Sequence, residues 1–271
     1  ALQIARNLDR YLLSQDNSNV WANTESTKQN YHSDFYRPYK QSLTMTQIGV
    51  ANNVNDNVRV GAVLSHSRAN NTFAENVSGK NRLTALSTYV KGNWNNGVFA
   101  SLDLGYGRSR NTIDFDDKNN VFHRSLFSAG VNAGIQWDWG VNVQPSIGVR
   151  YNRLSKANYH LAEAKVESKA LNLMTYRAGL ALSKTFDVAG VKLTPSLASY
   201  YNDATQRKMA VNGALSVNNI GMQQQFGRYF NHEAGLAAQF NQWQVSAQVG
   251  MLKGSDITTQ KYAAFKLGYT W

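Results

Sequence analysis

The sequence predicts an all-β protein, a 12-stranded antiparallel transmembrane β-barrel with an N-terminal α-helix inside its lumen. Three observations predict this fold. After residue 17, apolar and polar residues alternate in about twelve segments; many apolar positions are Ala or Val, with aromatic residues near segment ends; and connections alternate between short and long. Since successive strand side chains point to opposite faces, each segment has one apolar and one polar face.

Residues 1–17 are predicted to form a helix that plugs the pore of a barrel made by residues 18–271. The segment "ALQIARNLDRYLLSQDN" spaces its leucines near the helical period and places charged residues on its other sides. Twelve strands enclose a lumen that this helix could fill. The residues assigned to the pore helix are Leu2, Arg6, Leu8, Asp9, Arg10 and Leu12.

The predicted strands follow one rule from residue 20 to the end of the chain. In "VNVQPSIGVRY", residues 141–151, one face is wholly apolar and the other is polar or glycine. The twelve segments are expected to begin near Val20, Leu43, Val58, Leu83, Val98, Val121, Val141, Leu171, Val191, Phe226, Trp243 and Tyr262.

A soluble β-sandwich also alternates apolar and polar residues, but its core favours large side chains. Here the apolar positions are often Ala or Val, and the aromatic residues concentrate near segment ends, as in the girdles of a membrane barrel. The residues assigned to these girdles are Trp94, Tyr106, Trp137, Tyr151, Tyr201, Trp243 and Trp271.

The connections predict how the barrel is oriented. Short turns are expected at "NDN", "NNG", "DWG", "DVAG" and "NQ", and long loops at 31–40, 68–82, 108–124, 153–170, 202–225 and 253–261. Bacterial outer-membrane barrels have short periplasmic turns and longer extracellular loops. We therefore expect the long loops outside the cell, and the short turns and the C-terminus in the periplasm.

The charge distribution favours a lipid partner over nucleic acid. The 28 Lys and Arg exceed the 17 Asp and Glu, for a formal charge of +11, and most of the basic residues lie in or beside the long loops. Such a rim would meet the phosphates of outer-membrane lipid and lipopolysaccharide. No aromatic platform accompanies the basic residues, so no nucleic-acid partner is predicted.

Strand parity predicts which charged residues face the lumen. They are Arg59, Asp103, Arg150, Arg177, Lys192, Glu233 and Lys266. Two interpretations remain open: these residues form salt bridges within the wall, or one or both of Asp103 and Glu233 hold Arg6 or Arg10 of the helix.

No catalytic residue, metal site or cofactor is predicted for this chain. The absence of cysteine excludes disulfides and thiolate sites. His66 lies between Ser65 and Ser67, but strand neighbours point to opposite faces, which weakens an outer-membrane hydrolase as an alternative.

Three segments, "IARNLDRYLLSQDNSNVWAN", "GAVLSHSRANNTF" and "KLGYTW", resemble the C-terminal translocator domains of type Va autotransporters, particularly the immunoglobulin A1 protease and adhesion-and-penetration group. The resemblance covers the whole chain. It implies an outer-membrane translocator of type V secretion that exports a covalently linked N-terminal passenger, a serine protease absent from this chain. It also implies that the helix Leu2–Gln15 stays in the pore.

The resemblance further implies a monomer whose last strand is an assembly signal for the barrel-assembly machinery. The residues of that signal are Phe265, Leu267, Tyr269 and Trp271. The family usually ends in Phe, so Trp271 departs from its pattern. The alternative functions are a porin-like or adhesin barrel and, less favoured, an outer-membrane hydrolase.

Overall fold

A computed structural model describes residues 2–33, 36–73, 78–115, 118–161, 164–205, 208–215, 218–225, 227–255 and 257–271. These residues form one helix and eighteen strands. The elements are α1 (Leu2–Leu13), β1 (Val20–Ser33), β2 (Tyr36–Asn53), β3 (Val58–Phe73), β4 (Ser78–Asn93), β5 (Val98–Phe115), β6 (Lys118–Ile135), β7 (Trp137–Asp138), β8 (Asn142–Leu154), β9 (Ala157–Leu161), β10 (Ala164–Ser168), β11 (Leu171–Ser183), β12 (Phe186–Val188), β13 (Val191–Ala204), β14 (Lys208–Leu215), β15 (Asn218–Gln225), β16 (Tyr229–Phe240), β17 (Trp243–Lys253) and β18 (Gln260–Tyr269).

Within the described residues, twelve long strands close into one antiparallel barrel. Their order is β1, β2, β3, β4, β5, β6, β8, β11, β13, β16, β17 and β18. The barrel closes where β18 pairs with β1, from Val20 opposite Tyr269 to Gln29 opposite Gln260. Closure pairs the backbone of every strand on both sides, which a lipid environment requires. The predicted fold class is confirmed.

The burial pattern is the reverse of that in a soluble protein. Along β5, Leu102, Leu104 and Tyr106 are exposed on the outside, whereas Ser101 and Asp103 are buried on the inside. The same alternation continues around the barrel. In the part of the chain that the structure describes, no helix is both long and apolar enough to cross a bilayer.

Aromatic side chains form a belt at each end of the apolar wall. The exposed tryptophans lie near the short turns: Trp94, Trp137, Trp139, Trp243 and Trp271. The exposed tyrosines lie toward the other end of the strands: Tyr106, Tyr176 and Tyr201. Tyr151, also predicted for a girdle, is only half-buried. Amphipathic rings at both ends of an apolar wall are typical of a membrane barrel.

Several of the predicted long loops are in fact strand. The strand pairs β1/β2, β3/β4 and β5/β6 continue through most of 31–40, 68–82 and 108–124, so β2 and β4 begin at Tyr36 and Ser78 rather than at Leu43 and Leu83. Most residues of these extensions are polar at both odd and even positions, so no regular apolar alternation marks them. The loops 153–170 and 202–225 contain a separate sheet of β9, β10, β14 and β15. The predicted start at Phe226 lies outside the described residues.

The short turns are as predicted. Gly97, Gly140 and Gly190 have φ near +80°, a conformation that glycine adopts without strain. Asp138 accepts a hydrogen bond from the amide of Gly140, and Asp187 accepts one from that of Gly190. Side chains that bind their own backbone in this way stabilise tight turns.

Candidate functional site: the helix-filled lumen

Helix α1 lies inside the barrel with most of its side chains buried. Leu8 and Leu12 pack with Trp21 of β1. Toward the two helix ends, Ile4 and Leu13 contact other apolar groups on the wall. Burying each such side chain contributes about 1.5–3 kcal/mol, so the apolar side of the helix attaches it firmly to the wall.

A glutamate of β1 holds the polar side of the helix. Glu25 is fully buried. Its Oε2 accepts hydrogen bonds from Asn7 Nδ2 at 2.6 Å and from Arg10 Nη1 at 2.9 Å. Its Oε1 accepts from Gln3 Nε2 at 2.6 Å and forms an ion pair with Arg6. Because helix positions three and four apart share a face, one carboxylate contacts the whole face.

Arg10 also reaches a second wall carboxylate. Its Nη2 lies 3.0 Å from Oε1 of Glu233 on β16. The same oxygen accepts hydrogen bonds from Tyr262 Oη at 2.5 Å and Asn231 Nδ2 at 2.7 Å. The Arg6 and Arg10 guanidinium groups lie 4.5 and 4.8 Å from the centre of the Tyr262 ring. Arg10 therefore links β1 to β16 through the helix.

An arginine of β8 holds the helix at a third place, with the charges reversed. Arg150 Nη2 lies 2.6 Å from Oδ1 of Asp9 on the helix and 2.6 Å from Oδ2 of Asp103 on β5. Its Nε and Nη1 donate to the second oxygen of each carboxylate, at 3.1 and 2.8 Å. Arg177 Nη1 lies 3.4 Å from Asp9. Two-pronged pairs of this kind are among the strongest polar contacts in proteins.

Glycine on a middle strand allows these long-range pairs to form. Gly130 of β6 lies opposite Asp103 on one side and Arg150 on the other. A Cβ at Gly130 would lie 2.5 Å from Asp103 Oδ2 and 2.4 Å from Arg150 Nη2. The arrangement recurs with Gly148 between Asn132 and Arg177 and with Gly250 between Glu233 and Tyr262. The space above these glycines is occupied by side chains of the wall, rather than by the helix.

Residues 14–19 connect α1 to β1 at the short-turn end. Asp16 forms an ion pair with Lys266 of β18 and accepts hydrogen bonds from Ser18 N at 2.8 Å and Ser18 Oγ at 2.6 Å. Burial raises the pKa of the Asp16 carboxyl, but Lys266 and Ser18 outweigh burial, so the pKa lies below its ordinary value. Arg59 Nη2 donates to Ser18 O at 2.5 Å, and Lys91 donates to Ser14 O. The connection thus contacts β18 on one side of the β18–β1 closure, and β3 and β4 on the other side.

Little space remains between the helix and the wall. The cavity beside α1, lined by residues including Arg10, Arg150 and Tyr200, has a volume of about 50 Å³. That volume admits a few water molecules. A second polypeptide segment does not fit beside the helix at this place.

The family follows from comparison of the sequence with known families. The sequence model described as "Autotransporter beta-domain" matches residues 20–250. The chain belongs to the autotransporter β-domain family, the translocator barrels of type V secretion.

Relatives and solved structures agree with this family. The chain is 34% identical over 266 residues to an adhesion and penetration protein autotransporter of Haemophilus influenzae, with 97% of this chain and 18% of the relative covered. It is 31% identical over 260 residues to an immunoglobulin A1 protease autotransporter of the same species, with 93% of this chain and 13% of the relative covered. The chain therefore spans less than a fifth of these relatives.

The barrel is also similar to solved autotransporter structures. The β-domain of the Bordetella autotransporter BrkA has a TM-score of 0.73 at 17% identity, covering 94% of this chain and 100% of that one. The translocator domain of NalP from Neisseria meningitidis has a TM-score of 0.71 at 16% identity, covering 99% and 96%. These similarities concern the fold.

The β-domain places the residues predicted from sequence in different surroundings. On the helix, Arg6, Asp9 and Arg10 contact wall charges, Leu8 and Leu12 are buried, and Leu2 is exposed. On the wall, six of the seven predicted lumen charges contact the helix, its connection or each other: Arg59, Asp103, Arg150, Arg177, Glu233 and Lys266. Lys192 lies exposed at the end of β13.

The choice between wall bridges and helix contacts has a mixed outcome. Glu233 contacts Arg10 of the helix. Asp103 contacts Arg150 of the wall, which in turn contacts Asp9. Asp103 therefore reaches the helix only through Arg150.

Sequence reasoning missed Glu25, the carboxylate with the most helix contacts. Its signal was available, because alternation in "VWANTE" places Glu25 on the same face as Trp21. It also missed Lys91, Gln47 and Gln144, whose side chains donate to the carbonyls of Ser14, Ile4 and Leu13.

A hydrolytic site at His66 would need its ring to face one of the neighbouring serines, and it does not. Its ring is exposed on the outer face and contacts Thr84 Oγ1 at 3.0 Å, whereas Ser65 and Ser67 are buried on the inner face. His232 is likewise exposed, 3.0 Å from Ser199 Oγ, and Glu233 is buried on the other face. Among the described residues, no three His, Asp or Glu side chains are grouped to hold a metal ion.

Proposed function

We propose that this β-domain exports an N-terminal passenger across the outer membrane and that α1, which joins passenger to barrel, then closes the pore. The observation that carries the proposal is the position of α1 in the lumen. Its charged side chains form ion pairs with Glu25, Glu233 and Arg150 of the wall. A helix held by both signs of charge has one favoured position and direction in the pore.

The wall contributes passively to this function. Its exposed apolar face suits lipid, and its polar inner face suits a hydrated polypeptide in transit. The passenger precedes α1 in the chain, so α1 is the segment that lies in the pore once the passenger is outside. Its charged side chains then pair with those of the wall. Transit and closure therefore need no chemical step in the barrel.

Channel conductance in planar bilayers tests the closing role of the helix. We expect the 271-residue chain to be mostly closed and a variant lacking residues 2–13 to conduct steadily. Lys192→Gln, which changes a lumen-side charge away from the helix, should remain closed. Equal conductance of the chain and the variant lacking the helix would contradict the proposal.

The passenger is proposed to be a serine protease, as the names of the immunoglobulin A1 protease relatives suggest. A first test attaches an epitope-tagged reporter directly before Ala1 and measures its accessibility to antibody on intact cells. Export of the reporter supports the translocator role. Cloning of the natural upstream segment, followed by a protease assay of the culture medium, tests the identity of the passenger.

The orientation is proposed to place the short turns and Trp271 in the periplasm and the opposite strand ends outside. The chain has no cysteine, so single introduced cysteines give unambiguous labelling. On intact cells, an impermeant maleimide should label Thr205→Cys and leave Asn55→Cys unlabelled until the outer membrane is opened. The opposite pattern would reverse the orientation.

The closing strand is proposed to guide assembly of a monomeric barrel by the barrel-assembly machinery. Phe265, Leu267 and Tyr269 are on the outer face of β18, which pairs with β1 to complete the barrel. Removing residues 269–271 should abolish the heat-modifiable form in the outer membrane. Normal insertion of that variant would contradict this role.

A further inference from the structure

A row of three arginines crosses the outer surface of the barrel. Arg68 of β3 lies directly opposite Arg82 of β4, and Arg82 lies directly opposite Arg110 of β5. All three are exposed. Neighbouring strands are about 4.8 Å apart, so the arginine row, Arg68, Arg82 and Arg110, is about 10 Å long.

Two further cations enlarge the row into a patch. Lys80 lies two residues before Arg82 on β4, and Arg108 lies two residues before Arg110 on β5. Positions two apart on a strand share a face, and both side chains are exposed. The basic patch thus consists of five cations on three adjacent strands.

No carboxylate in the described ranges is paired with the basic patch. Among the residues that the structure describes, none of its five cations forms an ion pair. On the outer faces of these strands, the nearest described carboxylate is Asp114, which lies opposite Ser78, two residues from Lys80, and accepts a hydrogen bond from Ser78 Oγ at 3.1 Å. Like charges directly opposite on neighbouring strands are destabilising, so an anion from outside would relieve repulsion within the row.

The patch lies just beyond the apolar wall. Four residues from the row on the same face, Leu64, Leu86 and Tyr106 lie opposite one another on the same three strands. They are 53%, 57% and 61% exposed. The distance along the strands is about 13 Å. A lipid whose acyl chains cover these side chains would have its headgroup beside the cations.

The exposed basic residues are unevenly distributed over the outer surface of the barrel. The outer faces of β11, β13 and β16 carry no Lys or Arg in the described ranges. A general attraction to anionic lipid would not require such clustering. The outer faces of β17, β18 and β1 carry one lysine each, Lys253, Lys261 and Lys28. The five cations on β3, β4 and β5 are therefore the densest outer-face group in the described ranges, which indicates a localised binding site.

We propose that the basic patch binds a glycolipid of the outer leaflet that carries at least two phosphate groups, as the lipid anchor of lipopolysaccharide does. The five cations of the basic patch exceed the charge of one phosphate group, so a lipid with one phosphate neutralises the patch only in part. Arginine suits the site because its planar fork binds phosphate through two hydrogen bonds. The inference rests on the proposed orientation, in which this end of the strands faces outward.

The test measures binding of diphosphoryl lipid A to the detergent-solubilised 271-residue chain by native mass spectrometry. We expect the variant R68Q/R82Q/R110Q to lose affinity by about tenfold or more, since charge-assisted hydrogen bonds to phosphate are lost. The matched control is K28Q/K253Q/K261Q, which removes three exposed cations from β1, β17 and β18. It should lose less than about threefold, and monophosphoryl lipid A should bind the unaltered chain more weakly than the diphosphoryl form.

Equal losses in the two triple variants would overturn the site, because binding would then follow net charge alone. Heparin oligosaccharide that binds the patch as tightly as diphosphoryl lipid A would assign it to a soluble polyanion and overturn the lipid proposal. Heat-modifiable migration confirms that each variant is folded, and Arg82→Gln alone replaces the triple variant if that one misfolds. Lipid binding is measured without a passenger, so a failure of export leaves this result independent.

Discussion

Two places in the lumen hold the same helix with opposite charges. At Glu25 and Glu233 the wall supplies carboxylates and the helix supplies Arg6 and Arg10. Across the pore, the wall supplies Arg150 and the helix supplies Asp9. We call the first the glutamate cluster and the second the arginine cluster.

The difference between the clusters gives the helix its orientation. Apolar packing alone would tolerate some rotation or sliding of α1. A rotation would bring Arg10 toward Arg150 or Asp9 toward Glu25, which leaves buried charges unpaired. We infer that the two clusters together fix the rotation and the depth of the helix in the lumen. Either cluster alone would hold the helix there without fixing both.

The largest expected effect comes from the glutamate cluster. Glu25→Gln removes the charge that Arg6 and Arg10 share, and a buried ion pair that loses one partner costs about 3–5 kcal/mol. We expect frequent channel opening in planar bilayers and a lower melting temperature of the heat-modifiable form. Lys192→Gln is the control, and unchanged closure of Glu25→Gln would mean that apolar packing suffices.

The arginine cluster should show a smaller loss. Arg150→Met leaves Asp9 and Asp103 without their two-pronged partner, but Arg177 remains 3.4 Å from Asp9. We expect a destabilisation of about 3 kcal/mol, measured by the same melting assay, with fewer openings than in Glu25→Gln. An effect larger than that of Glu25→Gln would reverse the ranking of the two clusters.

A methyl group added at Gly130 should disturb the Asp103–Arg150 pair of the wall and leave the other contacts of the arginine cluster in place. Gly130→Ala places a Cβ within 3 Å of both Asp103 and Arg150, so the pair must separate, at a cost of about 1–3 kcal/mol. Ala129→Val, on the same strand but facing outward, should change the melting temperature little. Equal effects of the two substitutions would show that Gly130 is not needed for the bridge.

The smallest expected effect is a pH dependence at the helix connection. The pKa of Asp16 is lowered in the folded state, so its contribution to stability is present above its ordinary pKa and is lost as the pH falls through the folded value. Asp16→Asn should therefore melt at a lower temperature near neutral pH, by about 1 kcal/mol of stability, and match the unaltered chain in strong acid. A difference that persists unchanged in strong acid would assign the effect to something other than this carboxylate.

Much of the barrel could be predicted because its rules are local. Alternation identified the outer face correctly at Leu102 and Leu104, and turn residues identified the tight connections at Gly97 and Gly140. Local rules failed at the strand extensions before Leu43 and Leu83, where most residues are polar and no apolar alternation marks the strand. The helix was predicted to reach Gln15 but ends at Leu13. The amide of Ser14 donates hydrogen bonds to the carbonyls of Arg10 and Tyr11 at this end.

The sequence by itself determined which side chains face the lumen, since parity along a strand fixes the face. It placed Asp103, Arg150 and Glu233 inside without indicating which of them meet. Only the tertiary structure decided that Arg150 crosses Gly130 to Asp103 while Glu233 meets Arg10. The physical reason is that these contacts depend on the register of three strands and on where the helix lies, and neither is a property of any one segment.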